Sequence, residues 1–259
     1  MIRNIKKHKR LVVCLLFIST LFSFYILWLS PHYTVPILMY HRFGYESNTL
    51  FVTPENFDRQ MAYLKNKKYN VISFDQLVSG MKQNKKPRRH TVVITIDDGY
   101  KDVYQYAFPI LKKYAFPAII FLISDYVDTK DDFVSWEEVK TMSNGGIAFG
   151  AHTRRHLLLT TLTTEEELRD EIGGSKYIIE RKLGIPVDYF CYPSGVFDDK
   201  VKTMVKNTGY KGACGIHLFC TGNDTTYELK RIKITNSDTT KPFNYLSKLS
   251  GYYNVFRSK

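Results

Sequence analysis

A distorted (β/α) barrel of about seven parallel strands, preceded by one N-terminal transmembrane helix, is the architecture this sequence predicts. Three observations predict it. One uncharged apolar run of 19 residues lies near the N-terminus. Beyond it, short β-rich runs alternate with capped amphipathic helical patterns. No internal repeat, low-complexity tract or Ser/Gly linker divides that region, so it reads as one domain. At 259 residues, 44% hydrophobic and 24% charged, the chain can bury a large core and is neither disordered nor fibrous. Four cysteines are too few for a disulfide scaffold, and a single long apolar run excludes a multi-span protein.

The apolar run covers residues 11–29 and follows Arg3, Lys6, Lys7, Lys9 and Arg10, with no acidic residue in the first thirty. That charge bias puts residues 1–10 in the cytoplasm and residues 30–259 outside. A cleaved signal peptide and a retained signal anchor are both open readings. The anchor is favoured: the run is longer than a usual signal core, Trp28-Leu29-Ser30-Pro31 lacks a small-residue cleavage site, and Tyr25 and Trp28 suit an interfacial belt. Of the net charge of +12, five positives precede the span, leaving +7 outside. No Arg/Lys stripe interleaved with aromatics is present, so no nucleic-acid partner is expected. Lys85-Lys86-Pro87-Arg88-Arg89 is the only basic cluster and reads as a solvated loop before a strand.

In chain order, strands are expected at residues 35–40, 70–73, 92–97, 118–123, 147–151, 188–192, 212–216 and 231–235. Several are nearly continuous apolar runs, as in strands covered on both faces. Thr53-Pro54 caps a helix that carries Phe57, Met61 and Leu64 on one side. Ser135-Trp136-Glu137-Glu138 and Thr163-Thr164-Glu165-Glu166 each fit a capping box. The second opens the longest helix of this region, which Gly173-Gly174 should weaken or bend and Gly184 should stop ahead of Pro186.

Three segments fall at predicted strand C-termini, where parallel α/β folds assemble their sites. In Thr95-Ile96-Asp97-Asp98-Gly99, two adjacent carboxylates can share a site only if the strand ends there, because strand side chains alternate. In His152-Thr153-Arg154-Arg155-His156, imidazoles four residues apart would meet on one side of a helical turn. Two imidazoles and one carboxylate make a three-ligand set with an open position, a catalytic metal pattern. Phe190-Cys191-Tyr192-Pro193-Ser194-Gly195 ends a strand in a turn. Pro193 has no N–H, so the Tyr192 N–H is the backbone donor nearest that turn. Alone, the first segment is an ordinary Asp-Asp-Gly turn, the second a surface loop and the third a strand terminator.

In this order and spacing, the three segments resemble the NodB-homology polysaccharide deacetylases (carbohydrate esterase family 4). The resemblance spans about residues 35–235, and Pro36-Ile37-Leu38-Met39-Tyr40-His41 is similar to the opening strand of the poly-N-acetylglucosamine deacetylase branch. It implies a metal-dependent hydrolase that removes acetyl groups from an N-acetylated glycan polymer, and one copy of the chain is expected to suffice. Carried over, Asp97 is the general base and Asp98, His152 and His156 hold a divalent metal. Zinc is named first, with cobalt, nickel and iron also suited to such ligands. Tyr192 gives its backbone N–H to the oxyanion. Arg154 and Arg155 match no chemical position and remain charges on the rim.

The sequence departs from the common subgroup in two places. Leu229-Lys230-Arg231-Ile232-Lys233-Ile234 has no histidine where many relatives carry their general acid, and Val196-Phe197-Asp198-Asp199 has no tryptophan. The exopolysaccharide branch shares both losses. There His41 is either the acid or a buried core histidine. An O-acetyl esterase using the same site and a silent glycan-binding surface protein are the rival functions. Cys214 and Cys220 flank His217 and could form a disulfide or remain thiols, being short of ligands for a second metal.

Overall fold

The computed structural model describes residues 2–215 and 225–254. Its strands are β1 (Ile37–Tyr40), β2 (Arg42–Phe43), β3 (Phe51–Val52), β4 (Asn70–Val71), β5 (Thr91–Ile96), β6 (Ile119–Leu122), β7 (Ala148–Ala151), β8 (Tyr189–Cys191), β9 (Gly212–Gly215), β10 (Leu229–Lys230) and β11 (Ile232–Lys233). Eight of them run parallel in the order β10-β9-β8-β7-β6-β5-β1-β11. β10 and β11 are two halves of one stretch, separated by Arg231. The first half pairs with β9 (Leu229 with Cys214), the second with β1 (Ile232 with Leu38). That stretch almost closes the sheet into a barrel, as expected from the sequence. β4 pairs with the start of β5, outside the ring, and β2–β3 form a separate parallel pair.

Strand side chains alternate between two cores. Leu38, Tyr40, Ile94, Ile96, Ile120 and Leu122 face outward under the helices. Ile37, Val93, Ile119, Phe121, Cys191 and Cys214 fill the barrel interior. Burying a side chain such as Phe121 completely is worth about 1.5–3 kcal/mol. Gly150 makes room for it, because a Cβ there would lie 2.5 Å from the Phe121 ring.

Caps fix where the helices begin. Thr53 Oγ1 accepts the Asn56 N–H ahead of Pro54–Asn66. Ser135 and Glu138 close a reciprocal box ahead of Trp136–Asn144. The box ahead of Glu165–Arg169 is Thr164 with Glu167, one residue later than the sequence reading placed it. The helix is interrupted where the glycine pair lies: Glu165–Arg169 passes through a widened turn, Asp170–Gly174, into Ser175–Leu183, and Gly184 stops it at φ +70°. The expected strand 70–73 is shorter, because Ser73 leaves it to cap the helix Phe74–Lys82 with Gln76. At the N-terminus, Lys9–Leu29 is helical, long and apolar enough to cross a membrane, and none of it is buried against the rest of the molecule. Ile216, His217 and Cys220 lie outside the described residues.

Candidate active site

β5 ends at Ile96, and the Asp97 N–H makes the last ladder bond, to Tyr40 O at 2.9 Å. Asp98 (φ +72°) and Gly99 (φ +81°) then turn the chain through the left-handed region, which breaks the alternation and brings both carboxylates to one mouth. Glycine is required here twice over, since a Cβ on Gly99 would also sit 2.6 Å from Leu122 Cδ2.

Asp97 is 2% exposed and held by Arg231 through two bonds, Nη1 to Oδ1 at 2.6 Å and Nη2 to Oδ2 at 2.7 Å. Burial pushes its carboxyl up, but the charge and hydrogen bonds of Arg231 outweigh burial and hold it well below the usual carboxylate range. Asp97 is therefore ionised at any working pH. Arg231 stands between β10 and β11 on the barrel's inner side, also donating to Thr95 Oγ1 and Cys191 Sγ, while its Nε finds no partner among the described residues. It was missed from sequence, where it is one of 37 basic residues in a stretch noted only for lacking histidine.

His152 follows β7, its N–H donating to Leu122 O at 2.8 Å. Its Nδ1 lies 2.8 Å from the Cys191 carbonyl, which can only accept, so Nδ1 carries a proton and Nε2 is the nitrogen that faces Asp98 Oδ1, at 3.5 Å. His156 Nε2 lies 3.8 Å from the same oxygen. The two imidazoles meet, 4.7 Å between ring centres, but not across a helical turn. Residues 152–156 form a loop in which Thr153 (φ +65°) and His156 (φ +60°) are left-handed, a correction to the helical spacing argument.

Arg154 and Arg155, expected only as charges on the rim, help to hold this loop together with Thr153 and Glu171. Thr153 Oγ1 accepts the His156 N–H at 2.9 Å. Glu171, fully buried, accepts the N–H groups of Arg154 (3.1 Å) and Arg155 (3.0 Å) and pairs with the Arg155 side chain. Arg154 bridges Asp125 and Asp170. The widened turn brings Asp170 and Glu171 to the loop together. Gly174 lets Arg154 pass, since a Cβ would stand 2.8 Å from Arg154 Cδ. Gly174 and the Arg154–Arg155 pair thus work together.

The donor atoms of Asp98, His152 and His156 lie within 4.8 Å of one another. A cation about 2.0–2.2 Å from each ligand spans such a set with little movement. The chemistry of the set also fits a cation. Burial disfavours a charged His152, yet Cys191, Asp97 and Asp98 raise it to about 10, so this pocket favours a positive charge. Burial and His152 hold His156 down, towards the neutral form that ligates. Asp97, His152 and Cys191 form a second cluster of the same span, but Arg231 occupies both Asp97 oxygens and burial pushes the Cys191 thiol well up.

His41 stands just beyond β1, mostly buried, with Nε2 3.7 Å from Asp97 Oδ2. Burial lowers its pKa, opposed by Asp97 and Asp98. The Tyr192 expectation is corrected: its N–H is spent in the sheet ladder on Cys214 O at 3.0 Å, and its hydroxyl donates to Tyr227 O. Two residues on, Ser194 is exposed and left-handed (φ +55°), and its N–H has no acceptor among the described residues.

The family description "Polysaccharide deacetylase" matches residues 84–213, which include Asp97, Asp98, His152 and His156. Bacillus subtilis YxkH, named as a polysaccharide deacetylase, is 31% identical over 202 residues, 78% of this chain and 71% of its own. This chain belongs to the polysaccharide deacetylase family. A poly-β-1,6-N-acetyl-D-glucosamine N-deacetylase of Staphylococcus aureus is 25% identical over 198 residues, 71% of this chain and 68% of that one. The fold of this deacetylase-family chain matches the Streptococcus pyogenes deacetylase PplD solved with acetate (TM-score 0.76, 26% identity, 83% of this chain and 97% of that one).

Proposed function

We propose that this chain is a metal-dependent N-deacetylase of N-acetylglucosamine polymers, working outside the cell behind a retained anchor, Lys9–Leu29, with residues 30–259 exposed to the glycan. The observation that carries the reading is the convergence of Asp98, His152 and His156 on one point, with the ionised Asp97 beside it. The name of the Staphylococcus aureus relative supports the choice of glycan. A divalent ion on those three ligands, zinc first among candidates, supplies Lewis acidity at the acetyl carbonyl and a more acidic water.

The chain's own groups supply the rest. Asp97 accepts the proton of the attacking water, with Arg231 fixing its orientation and charge while weakening it as a base. The Ser194 N–H, a fixed backbone donor at the turn, takes over the oxyanion role first read for Tyr192. His41 protonates the departing amine. Acetate and a cationic amino sugar result.

Acetate release separates this reading from an O-acetyl esterase. The full chain is expected to release acetate from N-acetylglucosamine oligomers at least about tenfold faster than from O-acetyl xylan, a difference of about 1.4 kcal/mol in transition-state binding. The reverse preference would make it an esterase.

His41 sets a pH signature. An acid acts only when protonated, and burial holds His41 below the ordinary imidazole value, so kcat/KM should fall as pH rises through that lowered pKa. Asp97 stays ionised throughout and adds no acidic limb. In His41→Gln the alkaline limb should vanish along with most of the rate. A limb that persists unchanged would return His41 to the core.

A further inference from the structure

The barrel carries a cavity of about 760 Å³ at the end opposite the catalytic mouth. Strand beginnings line it, Val35 and Ile37 ahead of and in β1, Thr91 in β5 and Leu229 in β10, whereas Asp97 and His152 stand at strand ends. Its volume lies within the range of about 300–1,000 Å³ common to sites that enclose most of a small ligand. Val35, Ile37, Leu77 and Leu229, each under a tenth exposed, give it an apolar floor. Lys85, Lys86 and Arg88 line its edge, are exposed and make no ion pair among the described residues. The acidic residue of the lining, Glu228, is paired with Lys202 at 2.7 Å.

The cavity also touches the root of the N-terminal helix. His32 and Tyr33 line it, three and four residues after the apolar span ends at Leu29. Even fully extended, four residues reach only about 14 Å. Arg89 fastens that junction: Nη2 donates to Ser30 Oγ at 3.1 Å, Nη1 to Tyr252 OH at 2.8 Å, and the guanidinium stacks over Tyr25 and Tyr33. With Lys9–Leu29 read as the anchor, the base of the barrel, with its apolar cavity and the three cations at its edge, lies within about 14 Å of the point where the helix would leave the bilayer.

We propose that this face is a membrane-docking site and that the cavity takes one anionic phospholipid, acyl chain on the apolar floor and phosphate at Lys85, Lys86 and Arg88. A free anion would leave the floor unused, and a neutral lipid would leave the three cations unanswered. Docked this way, the barrel stands with its catalytic mouth directed away from the bilayer. The proposal rests on the reading of the helix as a retained anchor.

The full chain in nanodiscs of equimolar phosphatidylcholine and phosphatidylglycerol tests it, with retained lipids counted by native mass spectrometry. The wild type should keep one phosphatidylglycerol per chain. Lys85→Ala/Lys86→Ala/Arg88→Ala should lower that retention by at least about tenfold, since each basic residue near an anionic surface adds to binding. Gly80→Trp should abolish it with all charges kept, because Gly80 lines the cavity and a Cβ there meets nothing within 4 Å. Both changes lie on exposed or open positions, so melting should stay at the wild-type value. Retention equal for the two lipids, or unaltered in either variant, overturns the site. Intact mass separates the two failures. A chain shortened near residue 30 removes the anchor and the proposal with it, whereas a full-length chain without selective retention removes the lipid site alone.

Discussion

Asp97→Asn is expected to lower acetate release per bound metal by about 100- to 10,000-fold, the usual contribution of a positioned general base. The substitution keeps the shape of the side chain and removes its capacity to take a proton from water. It should leave the metal in place, because Asp98, His152 and His156 supply a complete set without it. If Asp97 ligated instead, with His152 and Cys191, the same change would strip the metal. The variant will also melt lower, since Arg231 loses its partner inside the barrel. Normalising turnover to the metal-loaded fraction separates the two effects.

The second large effect comes from the other side of that pair. Arg231→Met should destabilise the chain by about 3–5 kcal/mol at neutral pH, the cost of stranding one charge of a buried pair. For a domain of this size that lowers Tm by roughly 6–20 °C. The sign with pH differs between the two proteins. In the wild type Asp97 titrates far below its unfolded value, so its contribution is present above an unfolded pKa of about 4 and is lost only as pH falls through the folded one. Without Arg231, burial, the largest single influence, is opposed only by His152 and His41, so the folded pKa should rise and stability should fall as pH rises from 5 to 8. Adding Asp97→Asn removes the stranded charge, and the double variant should recover most of the lost Tm and lose the pH slope. A single variant as stable as wild type across that range would mean that the pair does not govern Asp97.

How far the sequence reading reached follows from where the information sits along the chain. The carboxylate pair and the two histidines were legible because their partners are close in sequence and each falls at a strand end. Gly99 and the Thr153–His156 bond are equally local. The barrel was legible from apolar runs and caps, because both depend on neighbouring residues. Arg231 was not: its meaning comes from barrel closure, which brings residue 231 to residue 97. Glu171 and Gly174 look like an ordinary helix surface until the widened turn sets them against Arg154 and Arg155. Tyr192 was misread because proximity to Pro193 identifies the nearest donor but not whether the sheet has already used it, which depends on β9.

The central claim, that Asp98, His152 and His156 hold the ion on which acetate release depends, is tested most directly by counting metal per chain. Elemental analysis of the full chain should give one divalent ion in the wild type and in Asp97→Asn, and close to none in a folded His152→Ala, with wild-type turnover lost on chelation and restored by zinc. A folded His152→Ala that still carries one ion and still frees acetate would contradict it.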